Sequence, residues 1–116
     1  MKTIIAGSRG VTNYNLVKSF LDTTDLKITE VVSGGARGAD KLGEQWAAEN
    51  GVPLKIFPAQ WSIYGKGAGY IRNREMAQYA DALIAFWDGK SKGTANMINE
   101  AKKQGLTVLE VHYVGV

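Results

Sequence analysis

Five short apolar runs alternate with four stretches whose apolar positions recur at helical spacing. The runs are Lys2 to Ala6, Ile28 to Ser33, Leu54 to Phe57, Ala82 to Trp87 and Thr107 to Val111. Each is too short for a helix and suits a strand. Between them, Leu16, Val17, Phe20 and Leu21 make one buried helical face behind a Thr12 or Asn13 cap. Ala39, Leu42, Gly43, Trp46 and Ala47 make a second face, which Asn50-Gly51 closes. A third helical pattern runs from about Ala68 to Ala80, and a fourth places Met97, Ile98 and Ala101 inward before stopping near Gly105. Pro58 to Gly69 has no apolar period and reads as a long functional loop carrying Trp61, Tyr64 and Lys66. His112 to Val116 reads as a tail at a subunit interface.

Strictly alternating strands and helices predict an α/β fold, a Rossmann-like three-layer domain. Its five-stranded parallel sheet has the order 3-2-1-4-5 and carries four helices. Residues 1–116 form a single domain in this reading, since their number suits one core. The strand order reverses between the first and fourth strands, and ligands bind in such folds outside the carboxyl ends at that crevice. Three glycine loops follow strands 1, 2 and 4: Gly7-Ser8-Arg9-Gly10, Gly34-Gly35-Ala36-Arg37-Gly38 and Asp88-Gly89-Lys90-Ser91-Lys92-Gly93-Thr94. One glycine turn is loop economy as readily as a ligand site. Three meeting at one crevice favour an anion held at helix starts.

Charge supports that reading. Arg9, Arg37, Lys66, Arg72, Lys90 and Lys92, six of the 14 basic residues, lie in or beside these loops. Net charge is only +3, weaker than a dedicated nucleic-acid binder shows. The absence of cysteine excludes disulfides, thiol catalysis and zinc–thiolate sites, and the single His112 argues against a histidine metal site. No metal or other cofactor is expected. No run is long and apolar enough for a signal peptide or membrane span, which points to a cytoplasmic protein.

Two fingerprints fail. Gly89-Lys90-Ser91 resembles the end of a P-loop, but the required upstream glycine is Ile84. Ser33-x-Gly35-x-x-Gly38 lacks the first glycine of a dinucleotide loop, and no acid follows about 20 residues on. Among the acids, Asp40 caps or balances a helix start, Asp81 is structural, and Asp88 is placed to hold a ribose hydroxyl or a magnesium water.

Ile5-Ala6-Gly7-Ser8-Arg9, Ser33-Gly34-Gly35-Ala36-Arg37-Gly38-Ala39-Asp40, Ala68-Gly69-x-x-Arg72-Asn73-x-x-Met76 and Phe86-Trp87-Asp88-Gly89-x-Ser91-x-Gly93-Thr94 together resemble the YspA-related branch of the SLOG superfamily. Its relatives include the LOG phosphoribohydrolases and DNA-processing protein A. The resemblance implies a Rossmann-like fold, a homodimer or higher homo-oligomer, and a nucleotide or ADP-ribose-like ligand. LOG hydrolases carry a catalytic glutamate three residues after the threonine of their glycine-threonine motif. Here that position is Met97, which argues against N-glycosidic hydrolysis.

The leading expectation is therefore a sensor or sequestering module for a nucleotide-derived small molecule. Gly34, Gly35, Gly38, Gly93 and Thr94 would cradle its phosphates, with Arg9, Arg37 and Arg72 supplying charge, and Gly7 and Ser8 belong to the same ligand-binding set. Asp40, Asn73 and Asp88 complete the ligand-binding set, Asn73 and Asp88 reading sugar or base. The alternatives are a LOG-like nucleotide N-glycosidic hydrolase, with Arg72 as the best catalytic candidate, and single-stranded DNA binding.

Overall fold

The computed structural model describes residues 1–113. Five strands, β1 (Lys2–Gly7), β2 (Glu30–Ser33), β3 (Leu54–Ile56), β4 (Ala82–Trp87) and β5 (Thr107–His112), form one sheet in the order β3-β2-β1-β4-β5. All four pairings are parallel, with Ile4 opposite Val32 on one side and Leu83 on the other. The helices are α1 (Tyr14–Thr23), α2 (Ala39–Glu49), the single turn α3 (Trp61–Tyr64), α4 (Ala68–Tyr79) and α5 (Lys92–Lys103). None is long and apolar enough to cross a membrane.

Side chains alternate across the sheet, as strand geometry requires. Ile5, Val31, Ile84 and Phe86 point to one face, under Val17 and Leu21 of α1 and Trp46 and Ala47 of α2. Ile4, Ala6, Val32, Leu83 and Ala85 point to the other, under Met76 and Ala77 of α4 and Met97 and Ala101 of α5. Both faces are covered, so β1 and β4 read as continuous apolar runs. Burial of each large side chain among them contributes about 1.5–3 kcal/mol. Helix α2 comes closest to the sheet at Gly43, where a Cβ would stand 2.7 Å from the Ile5 side chain.

Four details depart from the sequence reading. Leu16 is exposed, because α1 docks through Val17, Phe20 and Leu21. β3 is a three-residue edge strand with Leu54 and Ile56 exposed. The stretch Pro58 to Gly69 is not all loop. It contains α3 and a 3₁₀ turn over Gly65–Gly67, begun where the amides of Ile63 and Tyr64 bond the Gln60 carbonyl. Residues 60–66 face solvent and so carry no apolar period. Finally, His112 belongs to β5 opposite Trp87, and Tyr113 is buried in its own chain's core, its hydroxyl accepting the Thr12 and Asn13 amides. The rest of the expected tail, 114–116, lies outside the described residues.

Candidate functional site

The loop after β1 is tied to the carboxyl end of β4 and to the start of α2 through Ser8. Its amide donates to the Phe86 carbonyl, its Oγ accepts the Asp88 amide at 3.3 Å, and its carbonyl accepts the Ala39 amide at the start of α2. Ser8 is buried by this work. Gly38, the residue before α2, has φ +82, and a Cβ there would stand 2.7 Å from the Arg9 Cα. Only glycine allows both that conformation and that approach. The second glycine loop is thereby pressed onto the first.

Beneath that junction lie Gly34, Asp40 and Arg72. Arg72, half-buried on α4, donates from Nη1 to the Gly34 carbonyl and from Nε to Asn73 Oδ1. A Cβ on Gly34 would meet Arg72 Nη1 at 2.6 Å and Asp40 Oδ2 at 2.9 Å, so the glycine makes room for the two charged groups. Asp40 Oδ2 accepts the Ala36 amide at 3.2 Å. Burial pushes the Asp40 carboxyl up to about 6, against the lowering effects of the Ala36 amide and the nearby Arg72 charge. Burial also lowers the pKa of Arg72, and Asp40 opposes that shift.

Arg72 stands between two cavities. The inner one, about 130 Å³, is lined by Gly7, Asp40, Asn73, Gly93, Thr94 and Met97 among others, and so draws on all three glycine loops. The outer one, about 440 Å³, carries four cations, Arg9, Arg37, Lys41 and Arg72, beside Gly34, Gly35, Trp61 and Pro58. Arg9, Ala36 and Arg72 belong to both. Lys41 escaped the sequence reading because it sits within the first turn of a helix, and only the fold turns it toward the loop edge.

Several expected ligand residues are already engaged. The Gly35 amide donates to Ser33 Oγ and the Ala36 amide to Asp40, so these two N–H groups are internal to the loop. Asn73 donates to the Gly93 carbonyl and to Asn96 Oδ1 at 3.0 Å, which joins α4 to α5. Asp88 accepts the Lys90 and Ser91 amides at 2.8 and 2.9 Å, and these bonds hold its carboxyl below the usual range. It shapes the loop before α5 and lines neither cavity. Lys66, Lys90 and Lys92 also lie outside both linings. Thr94 is buried against the α5 cap, Ser91, and faces the inner cavity. Met97, three residues on, lies in the same lining, while Glu100 pairs with Arg74 and Lys103.

Asp40 gives the fold a pH signature. A carboxyl raised from 3.8 to about 6 favours the folded state while protonated. That contribution is complete below about pH 4 and is lost as pH rises to about 6. Relative to Asp40→Asn, the wild type should lose roughly 2–3 kcal/mol of stability between pH 4 and 7.5. Parallel urea titrations of both proteins across that range check the sign.

Comparison with known proteins places the family and the fold. Over 85 residues, 68% of each chain, the sequence is 42% identical to the Gene 61 protein of Mycobacterium phage D29. The structure superposes on DNA processing protein A (DprA) from Streptococcus pneumoniae with a TM-score of 0.80 and 18% identity, covering 97% of this chain and half of that one. At that identity the likeness is one of fold. Residues 1–64, which hold the first two glycine loops, match the family model described as YspA, cpYpsA-related SLOG. With more than half of its length matched, the chain belongs to the YspA, cpYpsA-related SLOG family.

Proposed function

We propose that this chain binds a nucleotide or nucleotide-derived, ADP-ribose-like ligand at the carboxyl edge of its sheet, acting as one domain that senses or sequesters the ligand. One observation carries the reading. A cavity holding four cations and an exposed tryptophan opens beside a smaller cavity at the meeting of three glycine loops. Clustered cations attract phosphates, and an indole offers a stacking face for a base. The outer volume of about 440 Å³ lies within the usual range for small-molecule sites.

The site residues in this reading are Arg9, Arg37, Lys41 and Arg72 for charge and Trp61 for the base. Gly7, Gly34, Gly35, Asp40, Gly93 and Thr94 line the two cavities, and Ser8 and Gly38 hold the loops together behind them. Asn73 and Asp88 support it through the bonds described above. Hydrolysis is the weaker reading, since buried Met97 supplies no acid or base and Glu100 is paired elsewhere.

Isothermal titration with ADP-ribose is the test. Saturable binding at one site per chain, with no free adenine in the cell afterwards, is the expected result. No binding would sink the reading, and released base would convert it to an enzyme. Light scattering with and without ADP-ribose reports whether the binding species is a homo-oligomer.

A further inference from the structure

The two cavities are both net positive but differ in degree. The outer lining has four cations and no carboxylate. The inner lining has Arg9 and Arg72, but it also has Asp40, which is 6% exposed. A second anion placed beside a buried carboxylate meets repulsion in a poorly screened interior. A buried carboxylate also needs donors, and Arg72 spends its Nε and Nη1 on Asn73 and the Gly34 carbonyl. Asp40 does receive the Ala36 amide, and the Gly34 amide also favours its ionised form. The group that suits the inner cavity is therefore small, neutral and rich in hydroxyl donors.

Resting on the nucleotide reading above, we infer that the inner cavity takes the sugar, with Asp40 accepting hydroxyls of a ribose, while the phosphates stay outside against Arg9, Arg37, Lys41 and Arg72. Asp40 is then the residue that distinguishes ribose from deoxyribose. This role falls neither to Asp88, whose carboxylate closes its own loop, nor to Asn73, whose amide bridges two helices. Thr94 and Ser91 line the same space as further hydroxyl partners.

The two orientations predict opposite pH dependence. Hydroxyl donors stabilise the Asp40 carboxylate, so ribose in the inner cavity releases a proton, and affinity falls as pH drops through about 6. A phosphate in the inner cavity raises the Asp40 pKa further and takes up a proton, so affinity rises as pH drops. The other charged groups facing Asp40 are Glu44 on its own helix, Arg72 on α4 and Arg9 beyond β1. β1 and α5 contribute no charged side chain to the lining.

The experiment is titration of the wild type and Asp40→Asn with ADP-ribose from pH 5 to 8, a range in which its pyrophosphate diester keeps its charge. The wild type should bind about tenfold more weakly at pH 5 than at pH 7.5, and Asp40→Asn should lose that dependence. At pH 7.5 the wild type should prefer AMP over 2′-deoxy-AMP by about tenfold or more, and Asp40→Asn should not. Tighter ADP-ribose binding at pH 5, or a flat wild-type profile, overturns the inference and leaves the nucleotide reading standing. Failure of ADP-ribose and AMP to bind the wild type at any pH overturns both. The wild-type profile needs no variant to fold, and asparagine keeps an acceptor for the Ala36 amide.

Discussion

Gly38→Ala is expected to lower the stability of the chain by about 3 kcal/mol, whereas Gly10→Ala leaves it nearly unchanged. At Gly38 the backbone holds φ +82 and ψ −130, a positive-φ region that is reached essentially by glycine alone and costs other residues about 1–3 kcal/mol. The added methyl would also strike the Ser8 carbonyl and stand 2.7 Å from the Arg9 Cα. These are backbone atoms, so the two loops must separate instead of a side chain moving aside. Gly10 has no positive φ and nothing within 4 Å of a Cβ, so it controls for the substitution itself. At this chain length the difference should lower the melting temperature by roughly 10–15 °C. Equal melting of the two variants would show that the loops are not pressed together. Because the same contact brings Arg9 and Arg37 to one cavity, Gly38→Ala should also weaken ADP-ribose binding in whatever fraction remains folded.

The sheet was legible before any coordinates because its signals are local. Ala82 to Trp87 is a run of six apolar residues, and a strand buried on both faces has that pattern. Trp46 and Ala47 recur behind Ala39 and Gly43 at helical spacing, and all four are buried. The convergence of Gly7, Ala36 and Gly93 on one cavity follows from the strand order, which the alternation of elements implies. The roles of individual polar side chains were not legible in the same way. Asp88 stands at the carboxyl end of β4, where a ligand-reading acid belongs, yet its oxygen turns back onto the amides two and three residues ahead. Asn73 carries a family motif, but its partner Asn96 is 23 residues away on another helix. Asp40 looked like a helix-start acid. Its depth, and the Arg72 guanidinium beside it, arise only when α4 packs across the β2 loop. The single turn α3 left no trace, because a helix of four exposed residues has no buried stripe to repeat.

Arg72→Ala should abolish measurable ADP-ribose binding, a loss of at least about a hundredfold, and the reason is its position as the wall between the two cavities. Truncation removes a cation from both linings. It frees the Gly34 carbonyl and removes the Nε donor that orients Asn73. It also leaves Asp40 buried without its nearest positive charge, which raises that carboxyl still further. Losing the cation that faces a buried carboxylate, together with the Gly34 and Asn73 bonds, should cost about 1–3 kcal/mol of stability. Arg72→Lys keeps the charge but cannot serve Gly34 and Asn73 together from one planar fork, so an intermediate loss of about tenfold is expected. Structural and ligand roles separate in the double variant Arg72→Ala with Asp40→Asn. Neutralising Asp40 removes the unpaired buried charge, so stability at pH 7.5 should recover most of what Arg72→Ala lost. Binding should not recover, because the cation is still missing from the wall of both cavities. Recovery of binding together with stability would mean that Arg72 acts only by holding the fold, and the outer cavity would then have to hold phosphate through Arg9, Arg37 and Lys41 alone.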